Sequence, residues 1–474
     1  MPEAKLTGDE SMAPTPAQIK ASVAFALISA LDKECETYCL LSGYDRLPNS
    51  FDTDIDFMVG RHDFKRMPLI IEKIALQTNT RLFQSVSHEL TAHAFLLVSL
   101  SGADMTIAQL DAASDYRHFG SLWLRASEVL ASRRVHPRGF WIPSADNEFG
   151  YCLIKRLNKR SLGPTYASRL HSLYIEDPHA CERMIGRFWK GQQAKAINRM
   201  AAANDWKEMS ICLESSREQL MRNTAESLLQ RGVSSLKGAL HFLGRVAQPT
   251  GAWIAFIGPD GSGKSLVISR VGEQFEPAFR GVQCFHMRPK FLSGGPKTGA
   301  PVTDPHGQPP RGYFASIVKL LYYAMDYLLG YVFHIFPALI RTRLILFDRY
   351  IYDFLVDTKR VRYGGPSWLL KVAARIVLCP NLVILLDAPA EVLWRRKREV
   401  SLDEVERQRI AYLNVAHTLP RAIVINGAQP IADVAHDVAE AILDHFARRT
   451  ARRLGLGVRM SQDSGSQLDA EGER

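Results

Sequence analysis

Apolar residues recur at helical spacing from Pro16 to Lys33, then gather into two short runs, Tyr38 to Ser42 and Asp54 to Val59, parted by a loop rich in turn formers. That pattern predicts a helix, a buried strand, a loop and a second strand. Met67 to Gln77 returns to the helical period, whereas Arg81 to Val86, Ala94 to Leu100 and Met105 to Asp111 favour strands and are separated by polar turns such as Ser101-Gly102. Between Glu148 and Arg245 the period is helical again, with stops at Gly163-Pro164 and Asp177-Pro178. From Trp253 onward four apolar strands (Trp253 to Ile257, Leu344 to Phe347, Leu382 to Leu386, Ala422 to Ile425) alternate with helices, the signature of a parallel sheet covered on both faces. The expected organisation is a disordered N-terminus (1–15), an α+β domain (16–147), a helical middle (148–248), an α/β domain (249–450) and a disordered tail (451–474).

Composition narrows the class without choosing a function. A chain of 474 residues is too long for one core, and 46% hydrophobic with 23% charged residues excludes collagen-like, low-complexity and wholly disordered proteins. The formal net charge of +10 suits phosphate-rich ligands, anionic membranes or nucleic acid equally, but no groove-reading motif accompanies it, so sequence-specific nucleic-acid binding is not expected. Seven cysteines without a C-x-x-C pair argue against a disulfide framework or a structural zinc site. The opening residues carry Glu3, Asp9 and Glu10 and no apolar run, which points to the cytoplasm. Leu320 to Ile340 has the length of a membrane span, yet Asp326, Gly330 and Pro337 would be costly in lipid. It reads as a buried or amphipathic helix pair, with peripheral membrane contact as the lesser alternative; a homo-oligomer is left open.

The strongest chemical signal is Gly258-Pro259-Asp260-Gly261-Ser262-Gly263-Lys264-Ser265, a G-x-x-x-x-G-K-[ST] run directly after a strand and before the helix of Leu266 to Phe275. Glycines at this spacing let successive N–H groups turn around a phosphate at a helix N-terminus. Lys264 then reaches the β and γ oxygens of ATP, and Ser265 ligates Mg²⁺. The strand Leu344 to Phe347 ends in Asp348-Arg349-Tyr350, placing a carboxylate and a guanidinium where α/β sheets bind ligands. Arg395 and Arg398, on a helix after the strand that ends at Asp387, with Arg407 and Arg409 further on, are candidates to close over a transferring phosphoryl group.

In this order, the P-loop, Arg288-Pro289, Asp348-Arg349-Tyr350 and the Arg395 to Arg409 region resemble the thymidylate kinase family over about the last 200 residues. The resemblance implies an ATP- and Mg²⁺-dependent phosphotransferase of the nucleoside monophosphate kinase type acting on a small molecule. Lys264 and Ser265 would serve the donor, Arg288, Arg349 and Tyr350 the acceptor, and the helix around Arg395 to Arg409 a lid. Departures from the pattern separate the expected acceptor from thymidylate itself: Leu266 follows Ser265, Pro289 follows Arg288 directly, and Asp357 to Pro366 differs from the usual segment. Arg360 and Arg362 in that segment are candidates to hold a differently shaped anionic acceptor.

A second site is suggested upstream. Alternation along a strand puts Asp54 and Asp56 on one face, about 7 Å apart, and Asp111 supplies a third acid from another strand. Three converging carboxylates could hold Mg²⁺ for attack on an α-phosphate. The element order resembles the nucleotidyltransferase superfamily, with Ser42-Gly43 reversed from its usual Gly-Ser. The two functions in contention are a kinase fused to a nucleotidyltransferase-like domain, and a nucleotidyltransferase whose P-loop domain is a regulatory ATP-binding module.

Overall fold

The computed structural model describes residues 14–101, 104–118, 121–206, 209, 213–223, 239, 242–293 and 309–456. Contacts divide the chain into two compact units, one of residues 17–98, 108–226 and 444–474, the other of residues 1–16, 99–107 and 227–443.

In the first unit the strands β1 (Tyr38–Ser42), β2 (Asp54–Val59), β3 (Arg81–Glu89), β4 (Ala92–Ser101) and β5 (Asp104–Ala113) form one sheet in the order β1-β2-β5-β4-β3. Alternation decides what each face carries. Leu40, Ile55, Phe57 and Val59 join one core with the helices Pro16–Glu34 and Arg61–Gln77, while Cys39, Leu41 and Met58 join another with Trp123 and the helix Ala145–Lys159. Asp54 and Asp56 share the parity of Met58 and so emerge on that second face. Hairpins of β6 (Asp115–His118) with β7 (Ser121–Arg125), and of β8 (Arg134–Val135) with β9 (Trp141–Ile142), lead into the helices. The helical stretch expected as a separate middle counts with this unit over its described helices up to Asn223. Its amphipathic helices need a surface to bury against, and they find it on the sheet: Leu153, Leu173, Ile185 and Ile197, from four successive helices, are 0–1% exposed in the core that contains Cys39 and Met58. Each contributes about 1.5–3 kcal/mol by leaving water.

The last turns of the helix Ile431–Arg453, from Asp444 on, also belong to the first unit. Phe446 meets Phe83 edge-on, the Thr450 hydroxyl donates to the Phe83 carbonyl at 2.8 Å, and Leu456 is buried. The expected disorder from 451 is thus corrected as far as Leu456, whose side chain joins a core that the tail's polar composition concealed. Residues 457–474 and 1–13 lie outside the described residues.

The second unit carries a sheet of β10 (Ala252–Ile257), β11 (Val282–His286), β12 (Leu344–Asp348), β13 (Leu382–Asp387) and β14 (Ala422–Asn426), ordered β11-β12-β10-β13-β14, with parallel pairing throughout. All six residues of β10 are buried, as expected of a central strand covered on both faces. β11, an edge strand, is partly exposed and lacks the continuous apolar run that announces the others.

The apolar segment folds as the helix Tyr313–Gly330, a π-turn over Tyr331–Ile335 and the helix Phe336–Ile340. Pro337 has no N–H to give to the preceding turn, which accounts for the local change of hydrogen-bond register. Together these 28 residues make the one helix, among those described, that is long and apolar enough to cross a membrane by length and composition. Leu320, Tyr327, Ile335 and Leu339 face the core of the unit. Asp326 is fully buried yet satisfied: it accepts from Arg288 at 2.9 Å and from the backbone N–H groups of Lys290 and Leu292 at 3.1 and 2.8 Å.

Candidate functional site

β10 delivers the chain to Gly258 at the carboxyl end of the second sheet, with φ of 140°; a side chain there would meet the Leu386 carbonyl at 2.7 Å, so only glycine fits. After Gly263 the helix Lys264–Phe275 begins, presenting its free N–H groups and positive dipole end to the loop. Lys264 is 6% exposed and folds back on the loop, its Nζ donating to the Gly258 and Pro259 carbonyls at 2.8 Å each and to Ser262 Oγ at 3.1 Å. Burial, and then the charge of Arg349, push its ammonium down to about 7. Residues 258–265 thus form a glycine-rich loop that closes on Lys264 at the start of a helix.

β12 lies between β10 and β11 in the sheet, which brings its last residue against the P-loop helix. Ser265 Oγ donates to Asp348 Oδ2 at 3.1 Å, and His286 Nδ1 stands 3.5 Å from the same oxygen. Burial pushes Asp348 up, but the His286 hydrogen bond and the charge of Lys264 outweigh it and hold the carboxylate below its usual range. A hydroxyl and a carboxylate side by side are the hard oxygen donors that Mg²⁺ takes.

Arg349 is 4% exposed and left-handed at φ of 72°, a backbone conformation that costs a non-glycine residue about 1–2 kcal/mol. Its guanidinium binds Asp353 at 3.0 Å and also Asp260 in the P-loop, while Asp353 accepts further from the Tyr412 hydroxyl at 2.7 Å. Arg360 binds the other oxygen of Asp260. Burial alone would raise Asp260, but Arg349 and Arg360 hold it at about 2. An acid inside the phosphate loop is therefore tied to two arginines from segments that follow β12. Asp353 and His286, which belong to no motif, were missed from sequence; the four-residue spacing from Arg349 to Asp353 was the only available hint.

The remaining candidates scatter. Tyr350 is corrected: it is 1% exposed and its hydroxyl donates to the Leu378 carbonyl at 2.5 Å, so it packs the core between Trp253, Phe347 and Tyr327 and faces no ligand. Arg288 is drawn to Asp326 and lies over Tyr323, 4.2 Å from the ring centroid. Arg362 Nε donates to the Pro309 carbonyl at 3.0 Å. Arg395 is exposed, Arg398 covers Trp394 at 4.6 Å, and Arg409 grips Asp387 in a two-point pair at 3.0 and 3.1 Å. From that region it is Lys397, 4.0 Å from Asp260, that reaches the P-loop.

In the first unit the parallel pairing of β2 with β5 sets Asp56 opposite Asp111, and carboxylate oxygens of Asp54, Asp56 and Asp111 lie within 4.8 Å of one another. Burial and the neighbouring Asp56 push Asp111 up to about 7. Lys155, from the helix Ala145–Lys159, brings its Nζ to 2.5 Å from Asp56 and 4.0 Å from Asp54. Burial draws that ammonium down, but the three acids prevail and raise it. Ser42 Oγ donates to Asp56 at 2.5 Å, and at Gly43, with φ of 79°, a side chain would strike the Asp54 carbonyl at 2.8 Å. The order Ser42-Gly43 thus serves the acids directly. Lys155 carried no signal beyond its place on an amphipathic helix.

No family model matches the chain. Over 217 residues it is 30% identical to a thymidylate kinase of Limosilactobacillus fermentum, an overlap of 42% of this chain and 97% of that protein. A thymidylate kinase of Lacticaseibacillus casei is 25% identical over 191 residues, or 39% of this chain and 87% of the relative. Among solved structures, a thymidylate kinase from Ehrlichia chaffeensis covers 40% of this chain and 98% of its own, at 18% identity and a TM-score of 0.29.

Proposed function

Because the chain belongs to the thymidylate kinase family through about two-fifths of its length, we propose that residues 249–450 transfer the γ-phosphoryl group of ATP to a small phosphorylated acceptor. The observation that carries this reading is the contact of Ser265 with Asp348 beside the buried Lys264. In the reaction, the ammonium of Lys264 exchanges its carbonyl partners for the β and γ oxygens, and the free N–H groups at the start of the helix hold the same phosphates. Ser265 and Asp348 would hold Mg²⁺, which when bound neutralises charge on the β- and γ-phosphates. With a phosphate monoester as acceptor, one of its oxygens bonds to the γ-phosphorus, the bond from that phosphorus to the bridging oxygen breaks, and ADP leaves with no proton to place. Arg349, fixed by Asp260 and Asp353, supplies positive charge to the equatorial oxygens. Labelled ATP incubated with nucleoside monophosphates, sugars and sugar phosphates tests the proposal; transfer that requires Lys264 supports it, and absence of transfer to every compound sinks it.

The carboxylate cluster favours a second reading, in which the first unit is nucleotidyltransferase-like and the P-loop unit regulates it by binding ATP. Pyrophosphate release that is lost in Asp54→Ala and indifferent to Lys264→Ala would establish that reading; release indifferent to Asp54 and Asp56 excludes it.

A further inference from the structure

Beside Arg288 lies a group of cations for which phosphoryl transfer at the P-loop has no use. Lys319 is one helical turn before Tyr323 on the helix Tyr313–Gly330, and its Nζ stands 5.1 Å from the Tyr323 ring centroid while Arg288 covers the same ring. Lys319, Tyr323 and Arg362 line, together with Ser316 and Tyr363, a cleft of about 10 Å³ that admits no more than a water, so an anion held by these cations sits at its mouth. Arg311 is fastened to the same place: its backbone N–H donates to the Arg362 carbonyl and its guanidinium to the Val361 carbonyl, both at 3.1 Å.

Charge in this group is out of balance. Arg311 and Arg362 are held through neutral carbonyls, which fix their position and, among the described residues, bring no acid to their charge. The acid of the group, Asp326, is fully buried and already accepts from Arg288 and from two backbone N–H groups. Among the described residues no acid pairs with Lys319, Arg311 or Arg362. Burial, and then Arg311, Arg288 and Arg362, push Lys319 down to about 8, the response of an ammonium surrounded by like charge. Like charges held together by a folded scaffold over an aromatic floor make a preformed seat for an anion. The donor phosphates do not need it, because the P-loop supplies their contacts.

We propose that this cluster seats a second anionic group of the acceptor, so that the substrate of the P-loop unit is a phosphorylated small molecule bearing another phosphate or a carboxylate. The molecule passes beside Arg288, with its reacting phosphate toward Arg349 and its distal anion among Lys319, Arg311 and Arg362. The assignment rests on the kinase reading for its site and adds the class of acceptor.

Titration calorimetry on the full chain with glucose 6-phosphate, glucose 1,6-bisphosphate and 6-phosphogluconate tests it, since the three probes share one phosphate and differ in the second charge. Both doubly charged probes are expected to bind at least about ten-fold more tightly than glucose 6-phosphate, the effect of one charge-assisted hydrogen bond. A preference confined to the bisphosphate assigns the seat to phosphate, and one confined to the gluconate assigns it to carboxylate. The preference is expected to fall toward parity in Lys319→Gln and in Arg311→Gln and to persist in Lys319→Arg. Equal affinity or no binding across the three probes, or a preference that survives both glutamine variants, overturns the assignment. Transfer from ATP is scored separately on the same compounds. Charge-selective binding without transfer removes the kinase reading and keeps the anion seat; transfer indifferent to the second charge does the reverse.

Discussion

On the proposed reading Lys264 serves two partners in turn. Its ammonium rests on two carbonyls and is pushed down to about 7, whereas phosphate oxygens would stabilise the charged form. ATP binding at pH 8 is therefore expected to take up a proton, measurable as a dependence of the calorimetric heat on buffer ionisation enthalpy, and Lys264→Ala abolishes the uptake. The sign for stability follows from the same shift. Between about pH 7 and the ordinary lysine value, the unfolded chain binds the proton that the folded chain has released, so this residue makes stability rise with pH across that window. Arg349 has the opposite character, since it is pinned between Asp260 and Asp353. Removing it in Arg349→Ala leaves the buried Asp353 without its cation, with an expected loss of about 3–5 kcal/mol in denaturant unfolding and, on the proposed reading, loss of transfer.

The parallel register of β2 and β5 is what turns a D-x-D sequence into a three-acid cluster, because it brings Asp111 level with Asp56. Mn²⁺ is expected to raise the melting temperature of the protein, and Asp56→Asn to remove that increment; an unchanged increment would show that the cation binds elsewhere. Much of this architecture was readable in advance. Tyr38–Ser42 and Asp54–Val59 fall where the apolar runs put them, and the P-loop sits between the strand and helix its motif requires. Edge strand β11 was not, because an edge position has no need of the apolar run that marks a central strand. Nor were Asp353 and Lys155, whose roles depend on which helix the fold brings to which strand end. Tyr350 was misassigned because its neighbours Asp348 and Arg349 point to the site, while its own ring packs in the core.

At the scale of the whole molecule, the helix Tyr313–Gly330 presents an exposed apolar row. Phe314, Val318, Leu321 and Met325 recur at helical spacing and are 48–80% exposed, and Trp368, Val372 and Ile376 form a similar exposed row on the helix Ser367–Ile376 of the same unit. Apolar rows of this size promote association. Phe314→Glu with Leu321→Glu is expected to raise the concentration at which the protein stays monodisperse by light scattering, with little change in unfolding free energy since neither side chain is buried.

The double hold on Asp260 also bears on how such a molecule can be re-engineered. The third position of its phosphate loop is constrained, because a neutral residue there removes the acid that Arg349 and Arg360 share and leaves them only their partners outside the loop, Asp353 for the one and Asp357 and Glu399 for the other. A chimera that imports a foreign P-loop must bring along the segment from Asp348 to Arg362, so the two stretches behave as a single transplantable cassette although 82 residues separate Ser265 from Asp348 in the chain.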